Sequence, residues 1–166
     1  MNRRHVLLGG TAVATFAVCN AILWRMDEPD EALAETFEVH KTDAEWRKVL
    51  APDRFAVLRK QETERAGSSP LDHEKRRGVY HCAGCDLAAY SSDAKYDSGT
   101  GWPSFWQSLP NAIGTREDHS FFMTRTEVHC RRCGGHFGHI FDDGPPPTGK
   151  RHCLNGLALS FKPATA

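Results

Sequence analysis

The chain is predicted to be mainly β, an antiparallel arrangement with short N-terminal helices and a four-cysteine zinc site. Three observations carry this reading. Two C-x-x-C turns, Cys82-Ala83-Gly84-Cys85 and Cys130-Arg131-Arg132-Cys133, lie far apart in the chain. Short runs rich in Val, Tyr, Phe and Thr, separated by Gly, Pro and Asp clusters, fill the sequence from Gly78 onward. Apolar residues at helical spacing are confined to the stretch before them.

The 166 residues, 40% of them hydrophobic, suit one compact domain whose core needs no disulfide staples. Twenty-one basic residues balance 21 acidic ones. A net charge of zero gives no basic field to draw the chain to DNA or RNA, so a nucleic-acid partner is not expected.

Residues 1–34 read as an export signal or membrane anchor and residues 35–166 as the functional domain. Met1 to His5 is a short basic start, Val6 to Trp24 a charge-free apolar run, and Asp27, Glu28, Asp30 and Glu31 follow it. Arg3-Arg4 before Val6-Leu7-Leu8 resembles a twin-arginine signal, although Asn2 and Val6 depart from its usual residues. Ala32-Leu33-Ala34 offers a cleavage site, and an uncleaved run is just long enough to span a bilayer. Either outcome puts the domain in the periplasm or on the outer face of the cytoplasmic membrane.

After a connector, Thr42-Asp43-Ala44-Glu45 has the capping-box pattern, and Trp46, Val49 and Leu50 recur at helical spacing behind it. Pro52 can open a second short helix through Leu58. Gln61 to Arg77 is polar, contains Gly67-Ser68-Ser69-Pro70, and reads as a loop. Strands are expected over Gly78–Cys82, Phe121–His129, His136–Phe141 and Cys153–Phe161.

Each C-x-x-C can wrap a tight turn around a metal, and nearby glycines let backbone N–H groups approach the sulfurs. Cys82, Cys85, Cys130 and Cys133 together make a closed site of four thiolates, the structural kind that holds one Zn2+. Disulfides or redox-active pairs are the alternatives. Thioredoxin-like redox pairs, however, sit at a helix N-terminus after a strand, which neither motif shows.

Cys153 stands outside both motifs. On a strand, alternation places Arg151, Cys153, Asn155, Leu157, Leu159 and Phe161 on one face, so a cation and an amide flank one thiol. A neighbouring arginine lowers a thiol's pKa and favours the nucleophilic thiolate. His136-Phe137-Gly138-His139 supplies two imidazoles suited to acid–base work; a bulge at Gly138 would bring both to one side. In Gly101-Trp102-Pro103-Ser104-Phe105-Trp106, Phe105 or Trp106 is expected in the core. Trp102 sits in a Gly-rich bend where its ring can wall a pocket for a sulfur-bound methyl group. Phe105 is carried beside Trp102 as a candidate substrate contact.

Taken together, the two C-x-x-C turns, Gly99-Thr100-Gly101-Trp102-Pro103-Ser104-Phe105, Gly135-His136-Phe137-Gly138-His139-Ile140-Phe141-Asp142-Asp143-Gly144-Pro145 and Arg151-His152-Cys153-Leu154-Asn155 resemble the methionine-R-sulfoxide reductases of the B class. The likeness runs from about Thr42 to Phe161. It implies two antiparallel sheets (a β-tent-like fold), a structural zinc ion away from the active centre, and repair of oxidised proteins or peptides carrying methionine sulfoxide. It also implies Cys153 as the nucleophile, with Trp102, His136, His139, Arg151 and Asn155 around it. The position before Gly101-Trp102 often carries a resolving cysteine in that family; here it is Thr100. The expected reductant is therefore external, a small thiol or a thioredoxin-like protein. A monomer is expected. A zinc-ribbon binding module would leave Cys153, His136 and His139 without a role, and a disulfide oxidoreductase would need one C-x-x-C free of metal.

Overall fold

The computed structural model of the chain describes residues 36–120 and 123–165. The expected export segment and the first two residues of the expected Phe121–His129 strand lie outside them. No helix among the described residues is long and apolar enough to cross a membrane.

Helix α1 spans Asp43–Val49. The Thr42 side chain accepts from the Glu45 N–H, while the Glu45 carboxylate accepts from the Thr42 N–H. The capping box thus satisfies two N-terminal donors that would otherwise have no partner. Helix α2 spans Pro52–Lys60 and opens on the expected proline, whose missing N–H costs nothing at that position. The helices bury Trp46, Phe55, Val57 and Leu58.

Nine strands follow among the described residues: β1 (Gly78–Cys82), β2 (Ala88–Ser91), β3 (Lys95–Tyr96), β4 (Ser104–Phe105), β5 (Ile113–Asp118), β6 (Arg125–Cys130), β7 (His136–Phe141), β8 (Arg151–Leu154) and β9 (Leu159–Pro163). They form two antiparallel sheets, a three-stranded one in the order β2-β1-β9 and a six-stranded one in the order β3-β4-β8-β7-β6-β5.

β1 and β7 have the expected bounds. The expected strand Cys153–Phe161 is two strands in different sheets, β8 and β9, separated by a 3-10 turn at Gly156–Ala158. The same-face reading therefore holds for Arg151 and Cys153, half-buried on β8 while His152 and Leu154 are buried. It stops before Leu157. Strands β2 to β5 had no sequence signal, because they are short or, like β5, largely exposed on both faces.

The core lies between the sheets. Phe105 of β4 is wholly buried, its ring 4.9 Å from Tyr80 of β1 and 4.7 Å from Tyr90 of β2. Phe137 and Leu154 complete it from the large sheet and Leu159 from the small one. Burial of a Phe side chain of this kind contributes roughly 1.5–3 kcal/mol. The outer end of Leu58 on α2 lies where a side chain on Gly135 would have to go, which seats the helix on the second C-x-x-C turn.

Candidate active site and metal centre

The two C-x-x-C turns meet in space. Their four sulfurs lie within 4.8 Å of one another, and three of the four cysteines are buried. Four thiolates about 2.3 Å from a central ion form a tetrahedron with edges of about 3.8 Å. Cys82 lies 3.6 Å from Cys133 and Cys85 lies 3.5 Å from Cys130, sulfur to sulfur. Both join one turn to the other and neither closes a C-x-x-C on itself, as a shared ion requires. The Gly84 N–H points at the Cys82 sulfur at 3.4 Å, the backbone donor expected of such a turn. The residues fit a structural metal site.

The second centre forms where β7 and β8 pair. A cleft with a cavity of about 170 Å³ is lined by Cys153, Asn155, Trp102, His139, Phe141, Arg125 and Thr63, among others. His139 stands directly opposite Cys153 in the β7–β8 register, and Ser104 of β4 stands opposite it on the other side. The register between β6 and β7 slips beside Gly138, so that His129 faces His136. The slip brings the two imidazoles of β7 to one side, with ring centroids 5.5 Å apart. Only glycine fits at 138, since a Cβ there would run into the Cys153 carbonyl oxygen.

The imidazoles then differ in role. His139 lines the cleft and hydrogen-bonds through Nε2 to Asp118 Oδ2 at 2.7 Å. Burial pulls its pKa below the ordinary value, and the Asp118 bond partly restores it. His136 is buried behind it, outside the cleft lining, and hydrogen-bonds through Nδ1 to Glu127 at 2.7 Å. Glu127 is itself buried. Its desolvation is outweighed by His129, His136 and Arg116, which hold its carboxyl well below the usual range.

Arg151 stacks over Phe141, 4.4 Å from the ring centroid, and forks onto Asp143 with two bonds of 2.8 Å. Arg151 lowers the pKa of the Cys153 thiol, as expected of a neighbouring cation, but its influence is not the largest. Burial pushes the Cys153 thiol above its ordinary pKa, and Thr100, Arg151 and Ser104 offset only part of this.

Asn155 is buried, accepts from the Glu64 N–H at 2.9 Å and donates to the Phe137 carbonyl at 3.1 Å. The Trp102 indole N–H donates to the Glu64 carbonyl at 3.1 Å, which stands its ring against the cleft. Phe105, carried as a substrate contact, is instead core. It has no exposed surface, because β4 alternation turns Ser104 towards Cys153 and Phe105 between the sheets. Sequence reasoning missed Thr63, Glu64, Asp118 and Arg125. Thr63 and Glu64 lie in an aperiodic stretch, and Asp118 ends a strand without alternation. Arg125 opens the strand begun too early at Phe121.

A mainly β domain of two sheets, a four-thiol metal centre and one further cysteine in a cleft of aromatic and imidazole groups define a thiol-bearing, metal-stabilised class. Residues 50–163 match the SelR domain family. The chain belongs to that family, and with it to the B-class methionine-R-sulfoxide reductases that its motifs resemble. A protein of Methanosarcina barkeri named peptide methionine sulfoxide reductase MsrB is 51% identical over 125 residues, covering 75% of this chain and 88% of the relative. Proteins of the same name in Thiobacillus denitrificans and Agrobacterium fabrum are 50% and 45% identical, each covering 94% of the relative and 74% and 76% of this chain.

Proposed function

We propose that the chain reduces methionine sulfoxide in proteins, R epimer selectively, with Cys153 as nucleophile. The observation that carries this is the position of the Cys153 thiol, between Trp102, Asn155 and His139 in one small cleft. The Cys153 thiolate attacks the sulfoxide sulfur while the oxygen is protonated, with His139 the group placed to supply that proton. The net change is Cys–S⁻ plus sulfoxide plus H⁺ giving Cys–SOH plus thioether: the substrate sulfur is reduced and Cys153 oxidised to the sulfenic acid. Trp102 packs the S-methyl group and so selects the epimer.

An outside thiol then closes the cycle. R–SH attacks Cys–SOH, forming a mixed disulfide and releasing water; a second thiol frees Cys153 and leaves R–S–S–R. Two observations support an external reductant. Thr100, a hydroxyl and not a thiol, lies 3.9 Å from the Cys153 sulfur, and the other four cysteines among the described residues form the metal centre. We assign Zn2+ to that centre, because a compact all-thiolate tetrahedron suits it. When bound, the ion ties the two turns together structurally. The basic start and apolar run of residues 1–24 support an export signal or membrane anchor, and we propose on that ground that the domain works in the periplasm or on the outer face of the cytoplasmic membrane.

The test follows consumption of the R and S epimers of a blocked methionine sulfoxide with dithiothreitol, for the wild type and Cys153→Ser. Loss of the R epimer alone, abolished in the variant, supports the reading. No consumption by a folded, metal-loaded protein sinks it.

A further inference from the structure

Beside the Cys153 thiol runs a row of hydroxyls that the proposed chemistry leaves unused. Thr100 Oγ1 lies 3.9 Å from Cys153 Sγ. Ser98 Oγ is 2.8 Å from Thr100 Oγ1 and 2.7 Å from Ser104 Oγ, and Ser104 reaches the Trp102 carbonyl at 3.1 Å. Ser104 has no exposed surface and stands opposite Cys153 in the sheet. The row therefore runs unbroken from the thiol to a carbonyl oxygen that can only accept.

Each hydroxyl has one proton to give and can also accept. With the thiol protonated, every proton has a destination: Cys153 to Thr100, Thr100 to Ser98, Ser98 to Ser104, and Ser104 to the Trp102 carbonyl. With the thiolate, the row turns round. Thr100 donates to sulfur, Ser98 to Thr100, and Ser104 either to Ser98 or still to the carbonyl. No heavy atom has to move. A row that serves both states costs no reorganisation when the proton leaves, and a charge-assisted hydrogen bond is roughly twice as strong as a neutral one.

We propose that Ser104, Ser98 and Thr100 form a hydroxyl relay that favours the thiolate of Cys153, with Thr100 its catalytic end and Ser98 a positioning residue acting through Thr100. The relay does the work that Arg151, held by Asp143, does only in part. It gives Thr100 a function where a second thiol would otherwise stand. The proposal rests on the reading of Cys153 as the nucleophile, but ionisation of the thiol can be measured with no sulfoxide present, so the two readings fail separately.

The charged and titratable groups around the thiol are Arg151 on β8 with Asp143 behind it, His139 on β7 with Asp118 behind it, Arg125 of β6 across the cleft, and Tyr96 at the end of β3. None changes in the variants below. The rate of iodoacetamide alkylation of the Cys153 peptide is followed by mass spectrometry against pH, in the purified full chain, for the wild type, Thr100→Val, Thr100→Ser and Ser98→Ala. Thr100→Val is expected to raise the midpoint by about one pH unit, a tenfold loss of thiolate at fixed pH. Ser98→Ala, which does not touch the sulfur, raises it by about half a unit, roughly threefold. Thr100→Ser, which keeps the hydroxyl, stays near the wild type. Should Thr100→Val not fold, Ser98→Ala carries the test. An unmoved midpoint in Ser98→Ala overturns the relay, whatever Thr100→Val does. So does a Thr100→Ser midpoint as high as that of Thr100→Val, since it would assign the effect to the methyl group.

Discussion

The backbone N–H of Glu64 donates to Asn155 Oδ1 at 2.9 Å, and the carbonyl of the same residue accepts from the Trp102 indole at 3.1 Å. One residue of a polar loop thus fixes two walls of the cleft. Its carboxylate is buried and accepts the Gly156 and Leu157 N–H groups at 2.5 and 3.0 Å, which ends β8 and turns the chain towards β9.

Glu64→Ala leaves two buried donors without a partner, and the expected loss of stability is about 2–4 kcal/mol. The backbone groups of residue 64 that hold Asn155 and Trp102 survive the substitution, but the loop that carries them loses its tie to the end of β8, so kcat/KM falls by on the order of a hundredfold, the usual effect of a small misplacement at a reacting centre. Glu64→Gln keeps one acceptor oxygen and falls between. Urea unfolding beside epimer-resolved kinetics checks both; wild-type stability in Glu64→Ala would show that the loop is not tied through its carboxylate.

Asp118 supports His139 from the β5–β6 hairpin and is itself bound by Arg125 at 2.6 Å. The Ser120 hydrogen bonds and then His139 hold its carboxyl well below the usual carboxylate range, so it is charged at neutral pH. It raises the His139 pKa against a larger fall due to burial. Asp118→Asn should therefore leave less imidazolium at any given pH. The limb of kcat/KM that needs the protonated acid moves to lower pH, with roughly a tenfold loss at neutral pH. His139→Ala loses on the order of 10²–10⁴-fold and its remaining activity no longer shows that limb. A pH profile unchanged in Asp118→Asn would take the acid role away from His139.

Much of the site was legible because it rests on local rules. The alternation that pairs Arg151 with Cys153 is a property of one strand, and the slip beside Gly138 follows from a glycine between two residues that must face alike. The capping box at Thr42 needs only four residues. What was not legible depends on partners distant in sequence. Glu64 lies in a segment with no periodicity, and its function appears only once β8 ends 90 residues later. Phe105 and Trp102 share one aromatic stretch, and only the pairing of β4 with β8 decides which of them faces the cleft. The thiol's burial, which outweighs Arg151, is set by the packing of both sheets and cannot be read from its neighbours in the chain.

The metal centre also holds the start of the domain. Phe37 occupies the space over Gly134, whose φ of +65° suits glycine, and the Val39 N–H donates to the Arg132 carbonyl at 2.9 Å. Arg132 reaches the Cys85 carbonyl at 3.3 Å and Glu38 at 3.1 Å. Removal of the ion with a chelator should lower Tm by on the order of 10 °C and open the chain to proteolysis around residues 36–39. Metal analysis should find one ion per chain, and none in Cys130→Ser. A chelated protein with an unchanged melt would show that the four thiols fold the domain without a metal.

His152 precedes the nucleophile but points the other way, into the core, where its Nδ1 and the Tyr90 hydroxyl share a hydrogen bond of 3.1 Å. Protonation of the ring would place a charge among aromatic rings. Burial, with a smaller contribution from the charge of Lys150, pulls its pKa down to about 4. In the unfolded chain the ordinary value near 6.5 applies. Above pH 6.5 neither state binds the proton and the group is without effect. Between pH 6.5 and 4 only the unfolded state takes it up, so stability is lost as the pH falls through that window, by about 3 kcal/mol in total. His152→Asn retains a hydrogen-bonding group for Tyr90 and cannot titrate. Its unfolding free energy, measured by urea at a series of pH values, should run parallel to the wild type above pH 7 and converge on it towards pH 4. Other acid-sensitive groups, the metal thiolates among them, act on both proteins and cancel in the difference. Curves that stay parallel throughout would mean that His152 takes its proton as readily folded as unfolded.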